Sequence, residues 1–422
     1  MKQRIKVVWV CHLSNPEVRE HLPVQVPLAE RLVRKVMHNP SKENSDFAVW
    51  NTNGIQEMEN MSDRIDLYVI APYHYLIPDE VRFEIRGVHY FFFKDTPSFL
   101  TLEARKRLLG KYDYSYERNR AYIKKEIEAI KPDIVHVIGI ENPYYSLAAL
   151  DIPDEIPYIV QLQTLLSVPN FKENYFMRGG DYDFRQRVEQ EILVKAHHIG
   201  SPAVAFHEVI RKINPSATIH KTALAVTEPI KGRNAETVFD FVYFASSINK
   251  AADLAVEAFA IAHQSHPEIT LDIVGGGSPE FVADLSDRIQ ELGLTDSITI
   301  EGRLATHDDV INQIRKSRFA LLPLKVDLIS GTIREAMANG LPVLTTITPS
   351  TPSLNKNREC VLLSESGDHE ALASNMCRLL ENNCLADNLS ENCLMTASER
   401  KTNKTYMQEW LAAYQSIIDE RQ

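Results

Sequence analysis

The chain alternates short apolar runs with longer runs of helical periodicity, and after a polar break the whole pattern begins again. Strands that are apolar throughout and separated by helices are typical of a parallel sheet covered on both faces. The sequence therefore predicts an α/β protein with two such sheets. In the first half the predicted strands are Ile5–Val10, Ile65–Ala71, Val88–Phe93, Ile134–Ile138 and Tyr158–Leu162, and the predicted helices are Leu28–Met37, Tyr116–Ile130, Pro143–Leu150, Arg185–Ala196 and Ala203–Ile213.

The second half is the more regular of the two. Its predicted strands are Phe239–Ala245, Ile269–Val274, Ile298–Ile300, Phe319–Pro323 and Val343–Thr346, and its predicted helices are Ala251–His263, Phe281–Leu292, His307–Lys316 and Gly331–Asn339. The tail from Asp368 to Gln422 has the periodicity of three further helices.

A polar, aperiodic segment separates the two halves. Residues 227–236 contain a proline and a glycine and no apolar period, which is typical of a linker. We therefore predict a first domain over residues 1–226, a linker over 227–238, a second domain over 239–400 and a C-terminal helix over 401–422. Ligands of such open sheets bind beyond the carboxyl ends of the strands, so functional residues are expected in the loops that follow strands.

Composition excludes several classes of protein. The 422 residues carry a net charge of −11, which is the wrong sign for a nucleic-acid binder. The chain has five cysteines, and no two of them have Cys-x-x-Cys spacing. The odd number and the spacing argue against a disulfide framework and against a zinc site. No apolar stretch is long enough to cross a membrane. We expect a cytoplasmic protein. Peripheral membrane contact stays open, although the sequence shows no obvious basic amphipathic helix.

The most informative segment begins at Asp327. It follows the end of a predicted strand as a short polar loop, and a helix opens at Ser330, Gly331 and Thr332. The first turn of a helix has free backbone N–H groups and the positive end of the dipole, so it suits a diphosphate. Gly331 lets the backbone approach a ligand closely. Glu335 lies one turn further on, where its carboxylate can accept hydrogen bonds from ribose hydroxyls.

The string Glu-Ala-Met-Ala-Asn-Gly-Leu-Pro-Val at Glu335–Val343 resembles the signature of the retaining glycosyltransferases of the GT-B fold, in particular the large family-4 group. Those enzymes have two facing Rossmann-like domains with C-terminal helices, the last crossing back to the first domain. They carry two acids separated by seven residues, as Asp327 and Glu335 are here. The resemblance implies that Glu335 holds the donor ribose and Asp327 contacts the transferred sugar. The first acid is usually Glu, which is one methylene longer than Asp327.

Other residues of the second half support this resemblance. Gly275 and Gly276 follow a strand and match the glycine turn that keeps the family's donor cleft open. Arg303 occupies a position at which members of the family contact the base of the nucleotide. It could stack on the base, pair with a phosphate or be an ordinary surface arginine. Lys250 matches a lysine that neutralises the leaving diphosphate. The arginine that usually precedes that lysine is absent from the loop Ala245–Asn249.

The first half resembles the family only weakly. His136 lies in an Asp-x-x-His strand and is expected to be a packed residue. Gln163 stands where many members have a histidine near the reacting sugar, and Glu141 follows a strand end and could face the cleft. Asp181 and Asp183 form an Asp-x-Asp pair that we interpret as a solvated loop, since the resemblance implies no metal.

The resemblance thus implies a retaining, metal-independent hexosyltransferase with no cofactor. Its substrates would be a UDP- or GDP-linked sugar and a saccharide or lipid-linked acceptor, as in bacterial surface-polysaccharide synthesis. Two alternatives remain. A non-catalytic protein that binds nucleotide sugars is suggested by the missing arginine and histidine. A GT-B-fold sugar-nucleotide 2-epimerase would need acid and base groups that we do not find in the sequence.

Overall fold

The computed structural model describes residues 4–36, 46–169, 171–174, 180–226, 236–245, 251–275, 279–325, 331–348 and 351–421. Asp327, Ser330, Lys250 and Gly276 lie outside these ranges.

The first domain is built on a sheet of eight strands, counted over the described residues, in the order β3-β4-β2-β1-β5-β6-β7-β8. All neighbours are parallel except β3 and β4, which form an antiparallel pair. The strands are β1 Ile5–Val10, β2 Ile65–Tyr73, β3 Glu80–Ile85, β4 Val88–Lys94, β5 Ile134–Ile138, β6 Tyr158–Gln161, β7 His198–Gly200 and β8 Thr218–His220.

Helices cover both faces of this sheet. Along β1, Val7 and Trp9 pack into one apolar core, while Val8 and Val10 pack into the other, because successive strand side chains point to opposite faces. The helices are α1 Pro16–Glu20, α2 Leu28–Val36, α3 Val49–Glu59, α4 Phe99–Leu109, α5 Glu117–Ile130, α6 Pro143–Ser146, α7 Phe171–Asn174, α8 Gly180–Lys195 and α9 Ala205–Ile213, with a 3₁₀ turn at Leu147–Asp151.

The second domain contains a fully parallel sheet of six strands within the described ranges, in the order β11-β10-β9-β12-β13-β14. The strands are β9 Phe239–Ala245, β10 Leu271–Gly275, β11 Ile298–Gly302, β12 Ser317–Leu321, β13 Val343–Thr346 and β14 Val361–Ser364. The chain runs outward from β9 to β11 and then crosses over to β12. The strand order therefore reverses between β9 and β12, which is the position where sheets of this kind open a ligand crevice.

The remaining helices complete the second domain and the tail. They are α10 Ala252–Ser265, α11 Pro279–Glu291, α12 His307–Ile314, α13 Gly331–Ala338, α14 His369–Glu381, α15 Asn383–Ser398 and α16 Asn403–Asp419, with a 3₁₀ turn at Thr351–Asn355. The helix α12 begins at a capping box in which Thr306 and Asp309 satisfy each other's backbone N–H groups. No described helix is both long and apolar enough to span a membrane.

The predicted α/β architecture with two facing parallel-sheet domains is confirmed, and every predicted strand and helix has a counterpart. The sequence missed four strands (β3, β7, β8 and β14) and four helices (α1, α3, α4 and α7). Most are short, and α3 contains a glycine and two asparagines, which weaken a helical pattern.

The interpretation of the Asp-x-Asp pair as a loop is wrong. Asp181 and Asp183 lie in the first turn of α8, where carboxylates are favoured by the helix dipole. Asp181 lies 3.4 Å from Arg185 Nε, and Asp183 forms an ion pair with Lys172. The helix dipole and these ion pairs therefore explain both carboxylates.

The last helix, α16, packs on the first domain beside α3. Trp9 Nε1 donates a hydrogen bond to the Tyr414 hydroxyl at 3.0 Å, and that hydroxyl lies 2.6 Å from His136 Nδ1. Burial lowers the pKa of His136 to about 3, so the neutral ring accepts from the tyrosine. Trp410 Nε1 donates to the Ala223 carbonyl at 2.9 Å. Through these contacts α16 ties the end of the chain to the first sheet.

We predict that Tyr414→Phe lowers the free energy of unfolding by about 1–3 kcal/mol, because the indole N–H of Trp9 is left without its buried acceptor. Denaturant unfolding followed by fluorescence measures this change. Tyr243→Phe is the matched control, since the Tyr243 hydroxyl is buried without a hydrogen-bond partner among the described residues. Equal losses in both variants would contradict the importance we give to the Tyr414 hydroxyl.

Candidate active site

A cavity of about 330 Å³ lies between the two domains, at the carboxyl ends of the second sheet's strands. It is lined from the second domain by Ala245, Gly275, Arg303, Thr332 and Glu335, and from the first domain by Phe47 and Trp50, among others. Four residues predicted from sequence thus meet in one cavity, namely Gly275, Arg303, Thr332 and Glu335. The parallel register of β9, β10 and β11 brings their following loops to this edge.

Gly275 ends β10 with φ +96°, a conformation that strains any residue with a side chain. Gly331 begins α13, and a Cβ added there would meet no atom of the described residues within 4 Å. Ser330, one of the two predicted caps of this helix, lies outside the described ranges.

Arg303 follows β11 and is exposed to solvent in the cavity. Its guanidinium has no hydrogen-bond or ion-pair partner among the described residues. An unpaired guanidinium next to a helix start presents positive charge to an anion.

Glu335 has a partner that the sequence did not indicate. Its Oε1 lies 3.3 Å from His307 Nε2, and both side chains are mostly buried. Burial disfavours the imidazolium, but the hydrogen bond from His307 to Glu335 and nearby negative charges outweigh it, so the pKa of His307 is raised above its usual value. Such a contact orients the Glu335 carboxylate on the cavity side of α13.

The same histidine touches the first domain. The His307 backbone N–H donates to Asp46 Oδ2 at 3.4 Å, and Arg19 Nη1 donates to Asp46 Oδ1 at 2.6 Å. Glu335, His307, Asp46 and Arg19 therefore form a polar chain across the cleft. The orientation of Glu335 is connected in this way to the position of the first domain.

A second group of polar residues lies on the first domain's side, at the ends of β5 and β6. With its amide nitrogen toward Glu141, Gln163 donates to Glu141 Oε1 at 2.8 Å and accepts from Trp50 Nε1 at 2.9 Å. Asn142 Nδ2 also donates to Glu141 Oε1, at 3.0 Å, while Oε2 is buried without a described partner. Trp50 lines the cavity, so Glu141 and Gln163 lie directly behind its wall.

Burial raises the pKa of Glu141 to about 7, although hydrogen bonds to the carboxylate act in the opposite direction. His12, which follows β1, forms a hydrogen bond with the Tyr144 hydroxyl at the same edge of the sheet. His136, in contrast, is buried beneath α16 and does not line this cavity. Within the described part of the chain, no three His, Cys, Asp or Glu side chains cluster in a way that could hold a metal ion.

Sequence reasoning named Glu141 and Gln163 but missed Trp50, His12 and His307. The rule that functional residues follow strands could have found His12 and His307, which lie just after β1 and β11. No such signal marks Trp50, because it reaches the cavity from the start of α3, a helix that the pattern did not predict.

We predict that Glu141→Gln gains stability relative to the parent protein as pH rises. The folded state keeps the Glu141 proton up to about pH 7, whereas the unfolded chain releases it near 4.5, so the parent loses stability across this window. The difference should reach at most roughly 3 kcal/mol between about pH 5 and about pH 8. Urea unfolding at several pH values measures it. Glu155→Gln, at an exposed carboxylate, should behave like the parent at every pH.

We predict a change in the same direction for His307→Gln. The pKa of His307 is raised in the folded state, so its pairing with Glu335 stabilises the protein fully below the unfolded pKa and is lost as pH rises through the folded value. The parent should therefore melt above the variant in mildly acidic buffer, and the two should converge in alkaline buffer. Thermal melts of both, with His369→Gln as the exposed control, test this. A constant difference across pH would argue against a charged His307.

Comparisons with known proteins were made for the sequence and for the fold. The family model described as glycosyl transferases group 1 matches residues 231–394, which covers most of the second domain. No curated protein matches the sequence.

Several solved structures resemble the whole chain. Sucrose-phosphate synthase from Thermosynechococcus elongatus superposes with a TM-score of 0.69 at 14% identity, over 99% of this chain and 100% of that one. HepE from Anabaena in complex with UDP-glucose has a TM-score of 0.66 at 14% identity, over 98% and 100% of the two chains. A glycosyltransferase from Rickettsia africae has a TM-score of 0.60 at 15% identity, over 99% of both. At these identities the likeness establishes the GT-B fold.

Proposed function

Since residues 231–394 match the family model of glycosyl transferases group 1 and the chain has the GT-B fold, we propose that this protein is a retaining glycosyltransferase that uses a nucleotide-diphosphate sugar. The observation that carries the proposal is the meeting of Glu335, Thr332 and Arg303 in one cavity at the switch point of the second sheet. A cation, a helix start and a carboxylate suit the diphosphate and ribose of a nucleotide.

The donor is proposed to lie with its diphosphate at the start of α13 and its ribose against Glu335. Arg303 and Lys250 would neutralise the diphosphate, and Asp327 would contact the transferred sugar. HepE is a protein of similar fold whose structure holds UDP-glucose, which supports a UDP-linked hexose as the first donor to test.

The proposed reaction breaks the bond between the sugar's anomeric carbon and the diphosphate. The acceptor oxygen bonds to that carbon on the same face, and the acceptor proton passes to the departing diphosphate. Chemistry of this kind needs no protein nucleophile, so the chain contributes positioning and charge stabilisation. Closure of the two domains around the donor would exclude water, which otherwise hydrolyses it. The mechanism uses neither a metal nor a further cofactor.

The acceptor is proposed to enter through a second cavity of about 430 Å³ that shares Asp46, Thr306 and His307 with the first. Its wall on the first domain includes Asn15 and Gln56, whose amides are suited to sugar hydroxyls. A saccharide or lipid-linked saccharide fits this polar lining, and surface-polysaccharide synthesis is the proposed setting.

We predict that Glu335→Ala raises the KM for the donor by roughly ten- to a hundredfold, because a charged hydrogen-bond acceptor for the ribose is lost. Lys250→Ala should instead lower kcat by roughly a hundredfold or more, because charge develops on the leaving diphosphate only in the transition state. A nucleotide-release assay across UDP- and GDP-sugars measures both. Lys212→Ala, at an exposed residue of the first domain, is the control and should leave both constants unchanged.

The same assay separates the alternatives. Donor that binds without being consumed, over a broad panel of acceptors, would replace this proposal with a non-catalytic sugar-nucleotide-binding role. Conversion of the donor into its 2-epimer, followed by NMR, would indicate the epimerase. An inverted anomeric centre in the product would refute retention while leaving transfer in place.

A further inference from the structure

The helix α2 exposes its apolar side to solvent and buries a carboxylate, which is the reverse of a usual surface helix. Its apolar residues Leu28 and Leu32 are 77% and 66% exposed, and Val33 is also exposed, whereas Glu30 is only 2% exposed. Residues spaced by four lie on the same side of a helix, so Leu28 and Leu32 form one apolar surface. An amphipathic helix normally turns that surface to the core and its charges to solvent.

Polar contacts hold α2 in this orientation. Glu30 Oε1 accepts hydrogen bonds from Arg34 Nε at 2.8 Å and from the Tyr75 hydroxyl at 3.1 Å. The Arg34 guanidinium in turn lies 3.7 Å from the centre of the Phe99 ring, the first residue of α4. The carboxylate is therefore buried with its partners, and rotating the apolar face inward would break these contacts.

The neighbouring helix α4 is similarly exposed. None of its residues is buried, and it ends in Leu108 and Leu109, which are 81% and 63% exposed. The last turn also carries Lys106 and Arg107. Lys106 lies 3.7 Å from both Glu103 and Asp181, and Arg107 lies 3.5 Å from Glu103. Exposed leucines next to cations therefore recur on both helices, in a chain whose net charge is −11.

We propose that α2 and α4 form a docking surface for a membrane that contains anionic lipids. We call this surface the α2/α4 face and define it by Leu28, Arg31, Leu32, Arg107, Leu108 and Leu109. Leucines of an interfacial helix enter the boundary between headgroups and acyl chains, while adjacent arginines bind lipid phosphates. The sequence showed no obvious basic amphipathic helix, whereas in the structure α2 exposes Leu28 and Leu32 beside the exposed Arg31.

The charges favour a membrane over a second copy of the chain. A symmetric dimer through the α2/α4 face would bring together two copies of the same patch, each of which carries Arg31 and Arg107. Like charges across an interface are unfavourable, whereas an anionic lipid surface complements them. Both helices belong to the first domain, and α2 lies in the segment that leads from β1 to Asp46 and Trp50 at the cavity. Docking there would bring the proposed acceptor side close to lipid.

The test is co-sedimentation of the full chain with vesicles of pure phosphatidylcholine and with vesicles of equal parts phosphatidylcholine and phosphatidylglycerol. The parent protein should bind the anionic vesicles more tightly, and added salt should weaken binding. Leu28→Glu/Leu32→Glu should bind at least about tenfold more weakly, because it removes buried apolar area and adds repelled charge. Val194→Glu/Val204→Glu is the matched control, since those valines are 63% and 74% exposed elsewhere on the first domain.

Failure of the parent to bind anionic vesicles, or an equal loss in the control, would overturn the proposal. Self-association of the parent that is lost in Leu28→Glu/Leu32→Glu would also overturn it, because the α2/α4 face would then bind a second copy of the chain. Thermal melts and donor hydrolysis in lipid-free buffer should be unchanged in both variants, which excludes misfolding. Vesicle binding is measured without donor, so its outcome is independent of the proposed glycosyl transfer.

Discussion

Parallel strand pairing is the constraint on which the rest of this structure depends. Parallel neighbours need crossover connections, so helices must cover the sheet faces, and the carboxyl ends of neighbouring strands meet at one edge. In the second domain the order reverses between β9 and β12, which opens a crevice at that edge. Gly275, Arg303 and the start of α13 reach the same cavity for this reason, although they are far apart in sequence.

Among the described residues, two sets of contacts join the two domains, and they differ in physical character. The helix α16 makes a buried contact, in which Trp9, Trp410 and Tyr414 pack together in the first domain's core. Across the cleft the contact is polar, from Arg19 through Asp46 to His307. The apolar contact excludes water. In the polar contact at the cleft, hydrogen bonds between protein groups can be replaced by hydrogen bonds to water or to a ligand. The contact through α16 is therefore buried and apolar, whereas the contact at the cavity is polar.

Much of the fold could be predicted from sequence because its signals are local. Apolar strands such as Val343–Thr346 and the string that begins at Glu335 report on neighbouring residues of the chain. The short β7 and β8 could not be predicted, since three residues carry no usable period. The predicted roles of Asp327, Ser330, Lys250 and Gly276 stay predictions, because these residues lie outside the described ranges.

The sequence by itself determined the α/β class, the two-domain arrangement and the helix that carries Glu335, because each depends on residues close together in the chain. Only the tertiary structure decided the partners of those residues. The pairing of Glu335 with His307, the contact of Gln163 with Trp50, and the outward apolar face of α2 all involve groups brought together by the folded chain. Periodicity reveals that a helix has two faces. Which of them is buried depends on the side chains it meets, and for α2 these are the polar groups around Glu30.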